Sequence, residues 1–248
     1  VARNLNLAER TGVHLHLSHI STKGSVQLIR EAKGRGVPVT CETCPHYFIL
    51  TEDAIGDYDT FAKVNPPLRA KEAVYAIIEG IMDGTIDVIA SGHSPTNMTE
   101  KEREFDVAAY GISALETALS LSYTHLVETG YITVEHLIRL MSAKPAEILK
   151  LYNKGSLAEG KDADIIVVDF LETHRIDPEH FASKAKFSPF AAEEVRGKVL
   201  YTMVGATNIA TLHQQSLIFS GPVKDWCEAR GIDLVKYGRR TEKSVGQK

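Results

Sequence analysis

Cysteine is scarce. Three residues in 248 (Cys41, Cys44, Cys227) cannot build a disulfide framework, which fits a protein of the reducing cytoplasm. No apolar run approaches the ~20 residues of a membrane span. The first ten residues read as a charged helical turn rather than a signal peptide. Excess charge of one sign is missing too: 28 basic against 32 acidic residues leave a net −4. That balance gives no electrostatic reason to expect nucleic acid or an anionic membrane as partner. Internal repeats and low-complexity tracts are absent. What remains is ordinary globular material, 44% hydrophobic and 24% charged, enough for one large α/β domain or two modest ones.

Three stretches share one design. Residues 13–21 (Val-His-Leu-His-Leu-Ser-His-Ile-Ser), 37–46 (Val-Pro-Val-Thr-Cys-Glu-Thr-Cys-Pro-His) and 86–95 (Ile-Asp-Val-Ile-Ala-Ser-Gly-His-Ser-Pro) each read as an apolar strand whose C-terminal end delivers polar or imidazole side chains. Parallel β/α folds place their chemistry there. Helices are predicted between and around them: 2–11, stopped by Gly12; one capped by Ser21 and Thr22 that runs through Val26, Ile29 and Ala32 to near Gly36; and 71–82, ending before Gly84. Strand, helix and strand within about thirty residues make a βαβ unit with parallel strands. The polar segment 92–110 is long enough to suggest a functional or mobile loop. Three helices are expected after it, at 111–128, 133–142 (capped by Thr133) and 145–151 (opened by Pro145).

Near residue 153 the pattern changes to short β elements, at 154–161, 163–169 and 197–205, giving a small β unit over 153–212. Residues 213–248 form a divergent tail, with Val223, Trp226 and Cys227 on one face of a short helix and a frayed polar end. Only three barrel-type strands are present where a closed (β/α)₈ barrel needs eight. The expected fold is therefore α/β: the last three strands of a TIM-type barrel over 1–152, followed by a β-sandwich portion. On this count the chain reads as the C-terminal part of a larger protein.

Several side chains carry two readings. His19 is either a metal ligand or a strand-end histidine satisfied by its loop. Strict alternation puts His14 and His16 on the face opposite His19, where they are expected to pack toward helices. Cys41-x-x-Cys44-x-His46 has metal or redox spacing, yet no second ligand pair accompanies it, so structural thiols are expected. His93 is expected to support or pack rather than to ligate. Asn65, before Pro66 and Pro67, serves either as a turn residue or as a ligand contact.

The ordered set His-Leu-His-Leu-Ser-His-Ile-Ser-Thr-Lys (14–23), Cys-Pro-His (44–46), Lys-Val-Asn-Pro-Pro-Leu-Arg (63–69), Asp-Gly-Thr-Ile-Asp-Val-Ile-Ala (83–90) and Gly-Ser-Leu-Ala-Glu-Gly-Lys-Asp-Ala-Asp (155–164) resembles dihydroorotases of the amidohydrolase superfamily, bacterial type. The resemblance covers about residues 1–207. It implies a barrel with a flanking β-sandwich and zinc-dependent, reversible closure of N-carbamoyl-L-aspartate to L-dihydroorotate in pyrimidine synthesis. Two metals sharing a hydroxide would lower its pKa and polarise the amide carbonyl.

Carried over position by position, His19 matches a metal-binding histidine of the sixth strand. Asn65 matches an asparagine that bonds the substrate ring. Tyr110-Gly111 falls where a Phe-Gly pair contacts substrate through its backbone. Two departures stand against these. Gly92 occupies the place of the aspartate that is both metal ligand and proton shuttle, and Thr96 that of a histidine that binds the substrate carboxylate. The remaining metal ligands of the family fall upstream of Val1.

The chain is thus expected to belong to a dihydroorotase-like cyclic amide hydrolase and to be inactive alone, with no catalytic residue of its own. A small-molecule substrate, homo-oligomerisation and a cytoplasmic location go with that reading. The alternatives are a non-catalytic scaffold subunit partnering aspartate transcarbamoylase, a hydantoinase or allantoinase relative, and a fragment whose exposed apolar edges aggregate.

Overall fold

The computed structural model describes residues 1–205 and the short strand Thr207–Asn208; the tail expected at 213–248, Cys227 included, lies outside the described residues. Helix α1 (Ala2–Thr11) buries Leu5 and Ala8, one turn apart, and closes on Gly12 at φ 69, whose N–H donates to the Ala8 carbonyl. Strand β1 (Leu15–Leu17) follows. Helix α2 (Lys23–Gly34) starts where the Thr22 hydroxyl accepts from the Ser25 amide, and it buries Val26, Ile29 and Ala32. Strand β2 (Val39–Thr43) leads into the short helix α3 (Pro45–Ile49), which has Pro45 in its first turn.

Helix α4 (Lys71–Met82) spans the predicted range and buries Val74, Ile77, Ile78 and Ile81. Strand β3 (Val88–Ile89) completes the first sheet. Its order is β1-β2-β3, all parallel, with Leu15 opposite Val39 and Glu42 opposite Val88. Alternation on β2 sends Val39, Cys41 and Thr43 into the buried layer and leaves Thr40 and Glu42 half-buried. Leu17, Val39, Cys41 and Ile89 share one core cluster with Val26 and Ile29 of α2 and Ile77 and Ile81 of α4. Burying each of these isoleucines stabilises the fold by about 1.5–3 kcal/mol. The helices thus claim one face of the sheet and leave the other to polar side chains.

The segment 92–111 is not featureless. It holds helix α5 (Met98–Lys101), capped by the Asn97 side chain on the Glu100 amide. The helix expected to begin at 111 begins later, as α6 (Ala118–Ser122), and continues as a π-helical turn over Tyr123–Val127. The delay has a local cause: Ile112 bridges His93, and the amides of Ala114 and Leu115 are spent on the His93 ring. Helix α7 (Val134–Ile138), capped by Thr133, runs through a second π turn, Arg139–Ala143, into α8 (Lys144–Ile148).

Beyond it, 154–161 is a series of turns rather than a strand. Gly155 at φ 78 and Gly160 at φ 82 reverse the chain within it. Strands β4 (Ile165–Arg175) and β5 (Glu194–Val204) form a long antiparallel ribbon, and β6 (Thr207–Asn208) adds to β5. The described residues hold one sheet in this region, whereas a sandwich requires two facing sheets. The ribbon seats on the first unit. Phe170 stacks on Tyr123 with centroids 4.5 Å apart, His125 meets Glu193 at 2.6 Å, and Ile176, Phe190 and Val195 join a cluster with Tyr47 and Ile112. Among the described residues no helix is long and apolar enough to cross a membrane.

Candidate active site

Three adjacent parallel strands end at the same edge of the sheet, and each hands over to a histidine-bearing segment. After β1 the chain turns at His19, whose φ of 56 is unusual for a residue with a side chain. The segment is pinned to β2 by two bonds: the Ile20 amide donates to the Glu42 carbonyl at 2.8 Å, and the Thr43 hydroxyl donates to the Ile20 carbonyl at 2.8 Å. His19 Nε2 then lies 3.7 Å from Glu42 Oε1.

The opposite carboxylate oxygen, Glu42 Oε2, is 3.3 Å from His16 Nε2, and His16 Nδ1 is 2.8 Å from the Thr40 hydroxyl, itself 3.3 Å from His14 Nε2. One proton arrangement satisfies all of these contacts: His14 donates to Thr40, Thr40 to His16, and His16 to Glu42. The expectation that His14 and His16 face away from His19 toward packing helices is therefore corrected. Leu15 and Leu17 take the helix side, the two histidines take the polar side, and the positive φ at His19 breaks the alternation and brings its ring to the same carboxylate. Nothing on β1 points to Glu42, although its two-residue spacing from Thr40 marks the shared face of β2.

At the end of β2, His46 is buried against Tyr47 with ring centroids 4.1 Å apart, and its Nδ1 has no hydrogen-bond partner among the described residues. Burial, and next the nearby His19, hold this imidazole down to about 3, so it is neutral through the physiological range. The Tyr47 hydroxyl donates to the Pro66 carbonyl at 2.8 Å, which fastens the turn carrying Asn65 beside β2. Asn65 is exposed, and its side chain makes no hydrogen bond among the described residues.

Burial pushes the Cys41 thiol up to about 12 and raises that of Cys44 as well. Cys41 donates to the Thr85 carbonyl at 3.2 Å. Both behave as packing thiols.

At the end of β3, Gly92 sits at φ 64, where a Cβ would stand 2.6 Å from His46 Cε1 and 2.8 Å from Cys44 Sγ. His93 Nδ1 accepts from the amides of Ala114 at 3.1 Å and Leu115 at 3.3 Å, which gives this ring the supporting role expected of it. Thr96 Oγ1 is buried without a partner among the described residues. Gly111 rests so closely on the Ser94 backbone that a Cβ would be 2.2 Å from the Ser94 carbonyl oxygen. Its own amide is spent on the Lys63 carbonyl at 2.9 Å. Tyr110 is exposed, with its amide and carbonyl outside the hydrogen-bond network of the described residues.

Contacts link these positions: His19 through Glu42 to His16, His46 to Gly92 and to Tyr47 beside the Asn65 turn, and His93 to residues 112–115 that follow Gly111. For a metal the donor set falls short. His19 and Glu42 face one another, but among the described residues no three His, Cys, Asp or Glu side chains converge as a metal-binding group. A lone imidazole and carboxylate do not make the shell of four that zinc takes.

Residues 1–210 match the Amidohydrolase family. The chain is 50% identical over 204 residues to the dihydroorotases of Acetivibrio thermocellus and Syntrophus aciditrophicus, covering 82% of this chain and 48% and 47% of those proteins. Among solved structures it is similar to the L-hydantoinase (dihydropyrimidinase) of Arthrobacter aurescens, with a TM-score of 0.80 and 33% identity over 84% of this chain and 47% of that one. The chain spans about half the length of the relatives it matches. With its parallel strands ending together at His19, His46 and Gly92, it belongs to the amidohydrolase family.

Proposed function

We propose that the protein built from this chain is a dihydroorotase-like protein that binds the L-dihydroorotate and N-carbamoyl-L-aspartate pair, and that this chain supplies the ligand-facing half of the site without its proton-transfer group. The observation that carries the reading is the convergence of three parallel strand ends in a chain half identical to dihydroorotases over 204 residues. In this reading Asn65 and the Tyr110 backbone bond the ring, while Gly111 lets that segment approach Ser94. His19 would offer one imidazole to a zinc ion. The donors present do not complete a zinc shell, and no chemical step is assigned to one.

Ring closure expels water and needs a group that moves a proton. Gly92 has no side chain, and burial lowers the basicity of His46 so far, to about 3, that it is a poor proton acceptor at neutral pH; neither residue takes that part. A second reading is a non-catalytic scaffold with aspartate transcarbamoylase as partner, motivated by Gly92 and Thr96 standing where the family has an aspartate and a histidine. Co-purification with a transcarbamoylase, in the absence of turnover, would distinguish it.

The test of the leading reading is ligand binding followed residue by residue by NMR. Millimolar dihydroorotate is expected to shift the amides of Asn65, Tyr110 and Gly111. Hydantoin, which lacks the carboxylate, is expected to shift them less. No shift with dihydroorotate, or a larger one with hydantoin, removes the assignment.

A further inference from the structure

Two lysines lie beneath the segment that carries Tyr110: Lys63, which opens the run 63–69, and Lys101, inside a run of charge (Thr-Glu-Lys-Glu-Arg-Glu, 99–104). Lys101 is fully buried and Lys63 is 6% exposed. A buried ammonium is costly unless its protons are satisfied. Here no carboxylate pairs with either one among the described residues; backbone carbonyls do the work instead.

Lys101 Nζ donates to the carbonyls of Gly111 at 2.6 Å, Ala109 at 3.1 Å and Lys63 at 3.2 Å. Lys63 Nζ donates to those of Ala108 at 2.7 Å, Asp106 at 3.2 Å and Phe105. All three protons of each ammonium are used. The two networks interlock, because the Lys63 carbonyl accepts from both Lys101 Nζ and the Gly111 amide. Lys63 Nζ also lies 4.6 Å from the centroid of the Tyr110 ring, and Lys101 Nζ lies 5.3 Å from that of Phe187. Between Ala108 and Gly111, the one carbonyl that neither ammonium takes is that of Tyr110.

We infer that Lys63 and Lys101 are positioning residues: as an interlocked pair they turn the carbonyls of Phe105, Asp106, Ala108, Ala109 and Gly111 inward and hold Tyr110, its backbone unpaired among the described residues, beside the His93–Ser94 segment. The importance of Tyr110 as a ligand contact rests on the function proposed above; the ordering of the segment does not. Burial lowers Lys101 to about 8, with Asp59 opposing and Lys63 adding to the shift, so it remains an ammonium at neutral pH.

The test uses the full chain labelled with ¹⁵N. Two lysine ammonium resonances with slowly exchanging protons are expected in the unaltered protein, a signature that solvated lysines lack. Lys101→Met keeps the stem and removes the donors. It is expected to erase one resonance, displace the other, and speed amide exchange across 105–112 at least tenfold while β1 to β3 keep theirs. Lys63→Met is expected to do the same from the other side. Absence of protected ammonium signals overturns the inference without any variant, and so does unchanged exchange at 105–112 in either variant. If the segment loosens while dihydroorotate fails to shift any amide of the unaltered chain, the positioning role stands and the proposed function falls.

Discussion

Gly92 lies against His46, so closely that a Cβ at position 92 would stand 2.6 Å from the imidazole Cε1, with Cys44 Sγ at 2.8 Å on the same side. The glycine is therefore one part of a packed arrangement rather than a gap in an otherwise intact site. Gly92→Asp and Gly92→Ala are both expected to destabilise the fold by about 1–3 kcal/mol, the usual cost of overpacking. The adverse φ of 64 adds to this. Adding His46→Gly to either should recover part of the loss. Denaturant melts measure this, and equal losses for Asp and Ala assign the effect to size rather than charge. Gly92→Asp alone is not expected to hydrolyse dihydroorotate.

His46 gives a pH dependence with a definite sign. Its folded value of about 3 lies below the unfolded value near 6.5, so between those limits the unfolded chain binds the extra proton. Stability is thus full above pH 6.5 and falls on acidification at about 1.4 kcal/mol per pH unit from this group down to about pH 3. His46→Gln is expected to flatten that part of the curve. Urea midpoints at pH 7, 6, 5 and 4 check it, and an unchanged acid slope in the variant would assign the loss elsewhere.

The buried thiols give a chemical prediction. Cys41, raised to about 12, and Cys44, raised as well, hold almost no thiolate at pH 8. Iodoacetamide at pH 8 should leave both unmodified in the folded chain and alkylate both in denaturant. Peptide mass spectrometry reads the two sites separately, and modification of either one in the native protein refutes the expectation.

Glu42 joins His16 and His19, and removing it should be felt at both rings. Glu42→Leu leaves His16 Nε2 without its acceptor and is expected to cost about 1–3 kcal/mol, the penalty for an unsatisfied half-buried polar group. The imidazole ¹⁵N shifts of His16 should move toward a mixture of tautomers. Unaltered His16 shifts would mean that Glu42 does not set the proton arrangement.

Local rules carried much of the fold into the sequence. The α4 range follows from Val74, Ile77, Ile78 and Ile81 at helical spacing, and Thr22 and Thr133 cap their segments as their type suggests. What was hidden depends on partners distant in the chain. Alternation alone could not foresee that His19 turns at positive φ onto the Glu42 of another strand. Nor could it foresee that α6 starts late because the Ala114 and Leu115 amides are drawn to His93. Lys101 was least legible: a lysine among glutamates reads as solvated, and only the carbonyls of Lys63, Ala109 and Gly111 make its burial tolerable. The family likeness implies a β-sandwich portion over 153–212, and the described strands β4 to β6 form a single sheet there.

The most direct measurement is a turnover assay on the purified chain, supplied with zinc and L-dihydroorotate, with bound metal quantified in parallel. A site that lacks a proton-moving side chain at Gly92 and a complete donor set around His19 should give no N-carbamoyl-L-aspartate and no stoichiometric zinc. Steady hydrolysis by this chain alone, with zinc bound one to one or better, would contradict the assignment of an incomplete amidohydrolase site.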